Sequence, residues 1–266
     1  MVMRPVKLCV FILLLTTACE EKINVPLVPE DTGLLAVEGV LTNENKNHLV
    51  RLSRPYSLQN AESQPATGAS VWVLEDTTVF VLAEFPLGSG MYYTPVHRAV
   101  VGKNYTLHIQ YNGNAYFARD SPVPVEPLQN LEYRETTNGY TLTLNDQGEN
   151  PNYIDHIITW KNTNACISGT SCEGRIVYYD LKTIDVNEIY KPEKNPFHFP
   201  KQTSITRRKY SVSAAYKTFL RSMLSETEWR GGVFDVQRSD IPTNLSEGAV
   251  GFFAVCSVVS DSTIVE

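Results

Sequence analysis

Long apolar runs are missing from this sequence. The one that opens the chain, Leu8–Leu15, has eight residues. As a helix it would measure about 12 Å, against a bilayer core of about 30 Å. A multi-span membrane protein is excluded. Basic charge is scarce too: 23 Lys and Arg stand against 29 Asp and Glu, a net charge of −6. Binding to a phosphate backbone runs on a surplus of Lys and Arg, so no nucleic-acid partner is expected. Fifteen Gly and fifteen Pro without a period exclude collagen. Signatures of chemistry are equally thin. There is no Gly-x-Ser-x-Gly elbow, no His-Glu-x-x-His, and no Walker or dinucleotide glycine motif. The five histidines, His48, His97, His108, His156 and His198, are scattered singly. Asp180 and Asp185 have no assignable role, because paired carboxylates are set by space rather than by spacing. Asp31, Asp76, Asp146 and Asp261 fall in expected turns without the oxygen series of a calcium loop. No cofactor and no metal site is expected.

What is there begins with an address. Arg4 and Lys7 precede the apolar run, and the small residues Thr16-Thr17-Ala18 lead to Cys19. Positive, apolar and small parts in this order read as a secretory signal, residues 1–18. Leu15-Thr16-Thr17-Ala18-Cys19 resembles a bacterial lipobox, with Thr16 where Leu is usual. The resemblance implies cleavage before Cys19 and lipidation of Cys19, with the acyl chains as the contact to a membrane. The rival is an ordinary signal that leaves Cys19 as a free thiol. Two or three acyl chains anchor a protein stably. Residues 19–33 then form a tether, with Pro26 and Pro29 favouring an extended path. Its Glu20-Glu21 start resembles the surface-export signal of Bacteroidota lipoproteins, and the alternative is a plain solvated spacer.

Of the remaining cysteines, Cys166 and Cys172 bracket Ile-Ser-Gly-Thr-Ser, a turn-forming stretch, so a short-loop disulfide is expected. Their spacing is too wide for a zinc knuckle and no His pair accompanies them. Cys256 lies in an apolar run and reads as a small buried hydrophobe.

With 42% hydrophobic and 20% charged residues, the body can bury a sizeable core. Its pattern is mostly β. Strands are expected over 34–42 (with Gly39 as a possible bulge), 48–54, 69–74, 78–83, 91–94, 104–111 and 115–119. The last two meet across Asn112-Gly113, a strong hairpin signal. This spacing predicts a β-sandwich over 34–120. Pro122, Pro124 and Pro127 mark 121–127 as an extended linker. A β-rich domain follows over 128–266, with a hairpin across Asn138-Gly139 and further strands at 153–160, 176–181 and 209–213. A long loop runs over 190–201, and 249–259 is one apolar strand, central in its sheet. Tyr216, Phe219, Leu220, Met223 and Leu224 carry a helical period. They predict one amphipathic helix near 214–229, capped by Ser213 and stopped by Gly231-Gly232.

Three stretches carry a family resemblance. They are Leu35–Thr42 followed by Val50–Arg54; Gly68–Val71 leading through Gly90-Met91-Tyr92 to Gly102–Leu107; and Pro242–Gly248 before Gly251-Phe252-Phe253. In this order behind a lipobox, they resemble a family of Bacteroidota lipoproteins known only as a domain of unknown function. The Gly102–Leu107 strand also resembles the Ig-like sandwiches of transthyretin and carboxypeptidase-regulatory modules. Members of the lipoprotein family tend to accompany TonB-dependent outer-membrane transporters. The resemblance therefore implies a lipid-anchored outer-membrane protein, exposed at the cell surface, that binds or assists such a transporter. An adhesion-type structural module is the alternative, and an enzyme is the least supported reading. No motif in the sequence assigns ligand-binding residues. Tyr92-Tyr93, Tyr178-Tyr179 and Trp229 are candidate contacts for sugars or proteins, set against the ordinary half-buried strand tyrosine. Arg207-Arg208-Lys209 reads as a solvated turn before a strand, with an anionic-ligand contact as its alternative.

Overall fold

The computed structural model describes residues 33–55, 63–146, 148–161, 171–193, 195–232 and 241–266. The expected signal, Cys19, the tether up to residue 32 and Cys166 lie outside them. The mostly β class holds, and Thr32–Glu266 form one compact unit.

The chain first lays down β1 (Leu35–Thr42), β2 (Leu49–Arg54), β3 (Gln64–Pro65), β4 (Ser70–Glu75), β5 (Thr78–Glu84), β6 (Met91–Tyr93), β7 (Tyr105–Tyr111) and β8 (Asn114–Asp120). They join one strongly curled sheet in the order β14-β1-β2-β6-β5-β4-β7-β8, where β14 is Ala249–Cys256 and β3 pairs β2. Alternation decides its inside. Tyr105, Leu107 and Ile109 are fully buried, and Leu35, Val37 and Leu41 face them from β1. Asn112 and Gly113 take positive φ, as the two-residue hairpin of β7 and β8 requires.

The curled sheet nearly closes into a barrel. Its two end strands, β8 and β14, are sewn together by residues 243–246. Leu245 bridges to Ala118, Ser246 N–H donates to the Phe117 carbonyl, and Asp120 Oδ2 accepts the Val255 N–H at 2.8 Å. The Asn244 side-chain amide bonds to Arg119 and Phe253 on the two sides of the seam. The bulge expected at Gly39 does not form. Gly39 pairs regularly with Phe253 and Val50, and a Cβ there would sit 3.1 Å from Val50 and 3.2 Å from Phe253.

The expected apolar strand over 249–259 breaks at Ser257 into β14 and β15 (Val258–Ile264). β14 runs parallel to β1, so the first sheet draws strands from both sides of Ser121–Pro127. It also serves two cores. Phe253 and Val255 point into the barrel, while Phe252, Ala254 and Cys256 point out against a helix.

That helix, α2 (Ala214–Glu226), starts where Ser213 accepts the Tyr216 N–H. It ends at Thr227, four positions before Gly231, because Trp229 N–H turns back to the Leu224 carbonyl. It packs on one face of a second, antiparallel sheet, β12-β11-β13-β15. Here β11 is Asn152–Lys161, β12 is Ser171–Asp180 and β13 is Ser204–Ser211. The opposite face packs Ile158 and Ile205 under Tyr140 and Phe199. Tyr140 belongs to the hairpin β9 (Tyr133–Thr136) and β10 (Gly139–Leu142), which forms across Asn138-Gly139 as expected. A single-turn helix, α1 (Val186–Ile189), precedes the loop over 190–201 and has no counterpart in the sequence pattern.

Candidate functional site

β12 is an edge strand. β11 pairs its inner side, and no strand pairs its outer side among the described residues. An edge keeps a row of peptide donors and acceptors available for another chain. Alongside it runs an open groove of about 980 Å³. Arg175–Tyr179 of β12 form one wall. Leu142 and Leu144 stand on one side, and Ile189, Pro192 and Phe197 on another.

The local sequence explains how this trough is held open. A Cβ at Gly174 would meet the Phe197 ring at 2.2 Å, so only glycine lets that ring lie against β12. Trp160 meets Phe197 edge to face at 5.8 Å and fixes its tilt. Trp229 and Leu224 are buried and close the floor from the end of α2. Asp185 caps α1 through the Asn187 N–H and takes Arg221 of α2 at 2.6 Å, which pins α1 at the rim. Ile184, Val186 and Ile189 are exposed there, an apolar edge beside an otherwise mixed groove.

Both signs of charge line the groove. Arg175 forks onto Asp155 at 2.7 and 2.9 Å and is thereby held flat along β12. Arg134, Lys191, Glu188 and Glu193 also line it. Burial pushes the Glu188 carboxyl above the usual range, with the Lys191 cation opposing. Tyr178 and Tyr179 are half-buried, and burial raises both hydroxyls. This set offers apolar walls, a strand edge and balanced charge. It suits an extended, amphipathic guest.

The candidate aromatic residues divide accordingly. Tyr178, Tyr179 and Trp229 meet in the groove, although they arise from distant segments. Tyr92 is core: its hydroxyl donates to the Ala66 carbonyl and accepts from the Ala69 N–H. Tyr93 stays on β6, away from them.

The basic triplet is no solvated turn. It lies inside β13, where alternation sends its members to opposite faces. Arg207 is buried and forks onto Asp261, and Arg208 pairs with Glu44 and covers the Tyr210 ring at 5.3 Å. Lys209 is 1% exposed and pairs with Asp146 at 2.8 Å. Each cation is already matched within the chain. Asp180 pairs with Lys182 at the surface, and Asp76 caps the Asn104 N–H.

The histidines do not converge on a ligand set. His48 is buried, with Nε2 on the His97 carbonyl, and the His97 ring pairs with buried Glu75 at 3.2 Å. His108 stacks on Trp72, and His156 bonds the Ile176 carbonyl. No group of three His, Cys, Asp or Glu among the described residues could hold a metal. Cys172 is disulfide-bonded and Cys256 is a free, buried thiol. The smaller hollow near Asn104, Asp120 and Ser213, about 500 Å³, is built around the Asp120 carboxylate that closes the barrel seam.

Sequence reasoning named three groove residues but had no route to the rest. Leu142, Ile189 and Phe197 gather only because β12 ends its sheet and the 190–201 segment folds over it.

A search of curated proteins finds no match. A sequence profile described as Domain of unknown function (DUF4249) matches residues 20–262, which include both sheets, the seam and the groove. The chain belongs to that family.

Proposed function

We propose that this protein is a lipid-anchored envelope protein that binds an extended segment of a partner polypeptide in the β12 groove, as an accessory subunit of a TonB-dependent outer-membrane transporter. The carrying observation is the groove itself, a strand edge that no strand pairs among the described residues, flanked by apolar walls and both signs of charge. A guest strand would gain main-chain hydrogen bonds from the edge and selectivity from the side pockets. The anchor and the envelope address are supported by the lipobox-like Leu15–Cys19 and the acidic residues behind it. The transporter as partner rests on the family resemblance alone, which implies such an association.

The test is a pull-down of the tagged full-length protein from its native envelope in gentle detergent, read by mass spectrometry. A stoichiometric outer-membrane transporter is expected, and Tyr178→Ala with Ile189→Asp should release it. Recovery of the lipoprotein alone would sink the accessory role and favour the adhesion module. Recovery that is indifferent to the two groove substitutions would sink the groove as its site.

A further inference from the structure

The two ends of the barrel differ in chemistry. Register fixes which loops share an end. Leu35 pairs with Ala249, Ala36 with Ser53, Arg54 with Gln64, Arg51 with Met91, Ser70 with Gln110, and Tyr111 with Asn114. The start of β1 therefore lies at the same end as loops 64–70, 85–90 and 111–114. None of these three loops contains Asp, Glu, Lys or Arg. The opposite end carries Glu44, Lys46, Asp76, Arg98 and Lys103. Its exposed Val96, Val100 and Val101 stand among those charges.

Exposed Arg54 and Glu247 also stand at this end, and among the charge-free loops one projects apolar side chains into solvent. Phe85 is 70% exposed and Leu87 is 88% exposed, with Pro86 between them. The loop is braced from below. The Glu84 carboxylate accepts the N–H groups of Gly68, Gly88 and Gly90 at 3.1, 3.1 and 2.9 Å. A single acid thus ties two loops together and spends its charge on backbone donors beneath the tip. Large apolar side chains held this openly on a fixed loop mark a contact surface.

We propose that this end of the barrel rests on the lipid surface, with Phe85 and Leu87 seated in the interfacial zone. The position of the tether selects a membrane over a protein partner. The chain joins the barrel at Gly33, on this end, and the stretch from Cys19 to Gly33 reaches at most about 50 Å when extended. The inference rests on Cys19 being lipidated. Acyl chains at Cys19 would then hold this end near the bilayer at high effective concentration. Burial of the two apolar side chains would then add to an anchor that already retains the body.

The experiment places a solvatochromic amino acid at Leu87 or, as a control, at exposed Thr77 on the opposite end. The full-length acylated protein is reconstituted into phosphatidylethanolamine–phosphatidylglycerol vesicles carrying a nitroxide lipid. Quenching several-fold stronger at position 87 than at 77 is expected. With a reporter at Asn114, Phe85→Ser combined with Leu87→Ser should abolish the difference from 77. Equal quenching at 87 and 77, in protein whose intact mass confirms the acyl chains, would overturn the orientation and leave the anchor standing. A mature mass without acyl chains would remove the anchor and this inference with it.

Discussion

The side-chain amide of Asn244 holds both backbone groups of Phe253. Its Oδ1 accepts the Phe253 N–H at 3.1 Å, and its Nδ2 donates to the Phe253 carbonyl at 2.7 Å. The same Nδ2 also donates to the Arg119 carbonyl at 3.0 Å. One residue thus mimics a strand in the gap between β8 and β14. Asn244→Ala would leave an N–H and carbonyls at the seam without partners, at about 1–3 kcal/mol. Urea denaturation should show that loss, and an unchanged midpoint would refute the role.

Asp120 supports the same seam with a carboxyl in place of an amide. Burial pushes its carboxyl above the usual value of 3.8, with the Val255 N–H and Ser213 opposing. A raised folded value means that the ionised form costs stability at neutral pH, and that this cost fades as pH falls toward the unfolded value. Asp120→Asn keeps an acceptor for Val255 N–H and sheds the buried charge. It should match or exceed the wild type at pH 7, whereas Asp120→Ala should lose about 1–3 kcal/mol. Equal stability of the two variants would contradict this.

Lys209 and Asp146 form a buried ion pair at 2.8 Å. Burial alone would raise the Asp146 carboxyl, but the bonds from Lys209 and Asn152 outweigh it and hold it below 3.8. Its contribution is therefore complete above about pH 4 and is lost as pH falls further. Lys209→Met alone leaves a buried carboxylate without its cation, at about 3–5 kcal/mol. Adding Asp146→Leu should restore much of that loss and flatten the acid limb of the stability profile. A double variant as weak as the single one would count against the pair.

Cys172 is disulfide-bonded, and its expected partner Cys166 lies outside the described residues. Non-reducing peptide mapping should recover a Cys166–Cys172 linkage. Reduction should cost about 2–3 kcal/mol, since the loop it closes is short. Two free thiols would reject the pairing.

Local rules were readable in the chain. Asn112-Gly113 and Asn138-Gly139 each turn a hairpin, and the alternation at Tyr105, Leu107 and Ile109 places all three in the core. Ser213 and the apolar stripe locate α2. What escaped was non-local. The parallel pairing of Leu35 with Ala249 joins strands from opposite ends of the chain, and no periodicity encodes a partner. Arg207-Arg208-Lys209 looked solvated because its three acids, Asp261, Glu44 and Asp146, are remote in sequence. The groove shares that difficulty. Tyr178 and Trp229 could be suspected singly, but their convergence depends on β12 ending its sheet.

The central claim is that the β12 groove holds a polypeptide from an outer-membrane transporter. The most direct measurement places a photo-crosslinking amino acid at Val177, on the groove wall, and another at exposed Val81 on the barrel, in cells carrying the native envelope. The account predicts a crosslink from position 177 to a TonB-dependent transporter and none from position 81. A transporter adduct from 81 alone, or no adduct at 177, would contradict it.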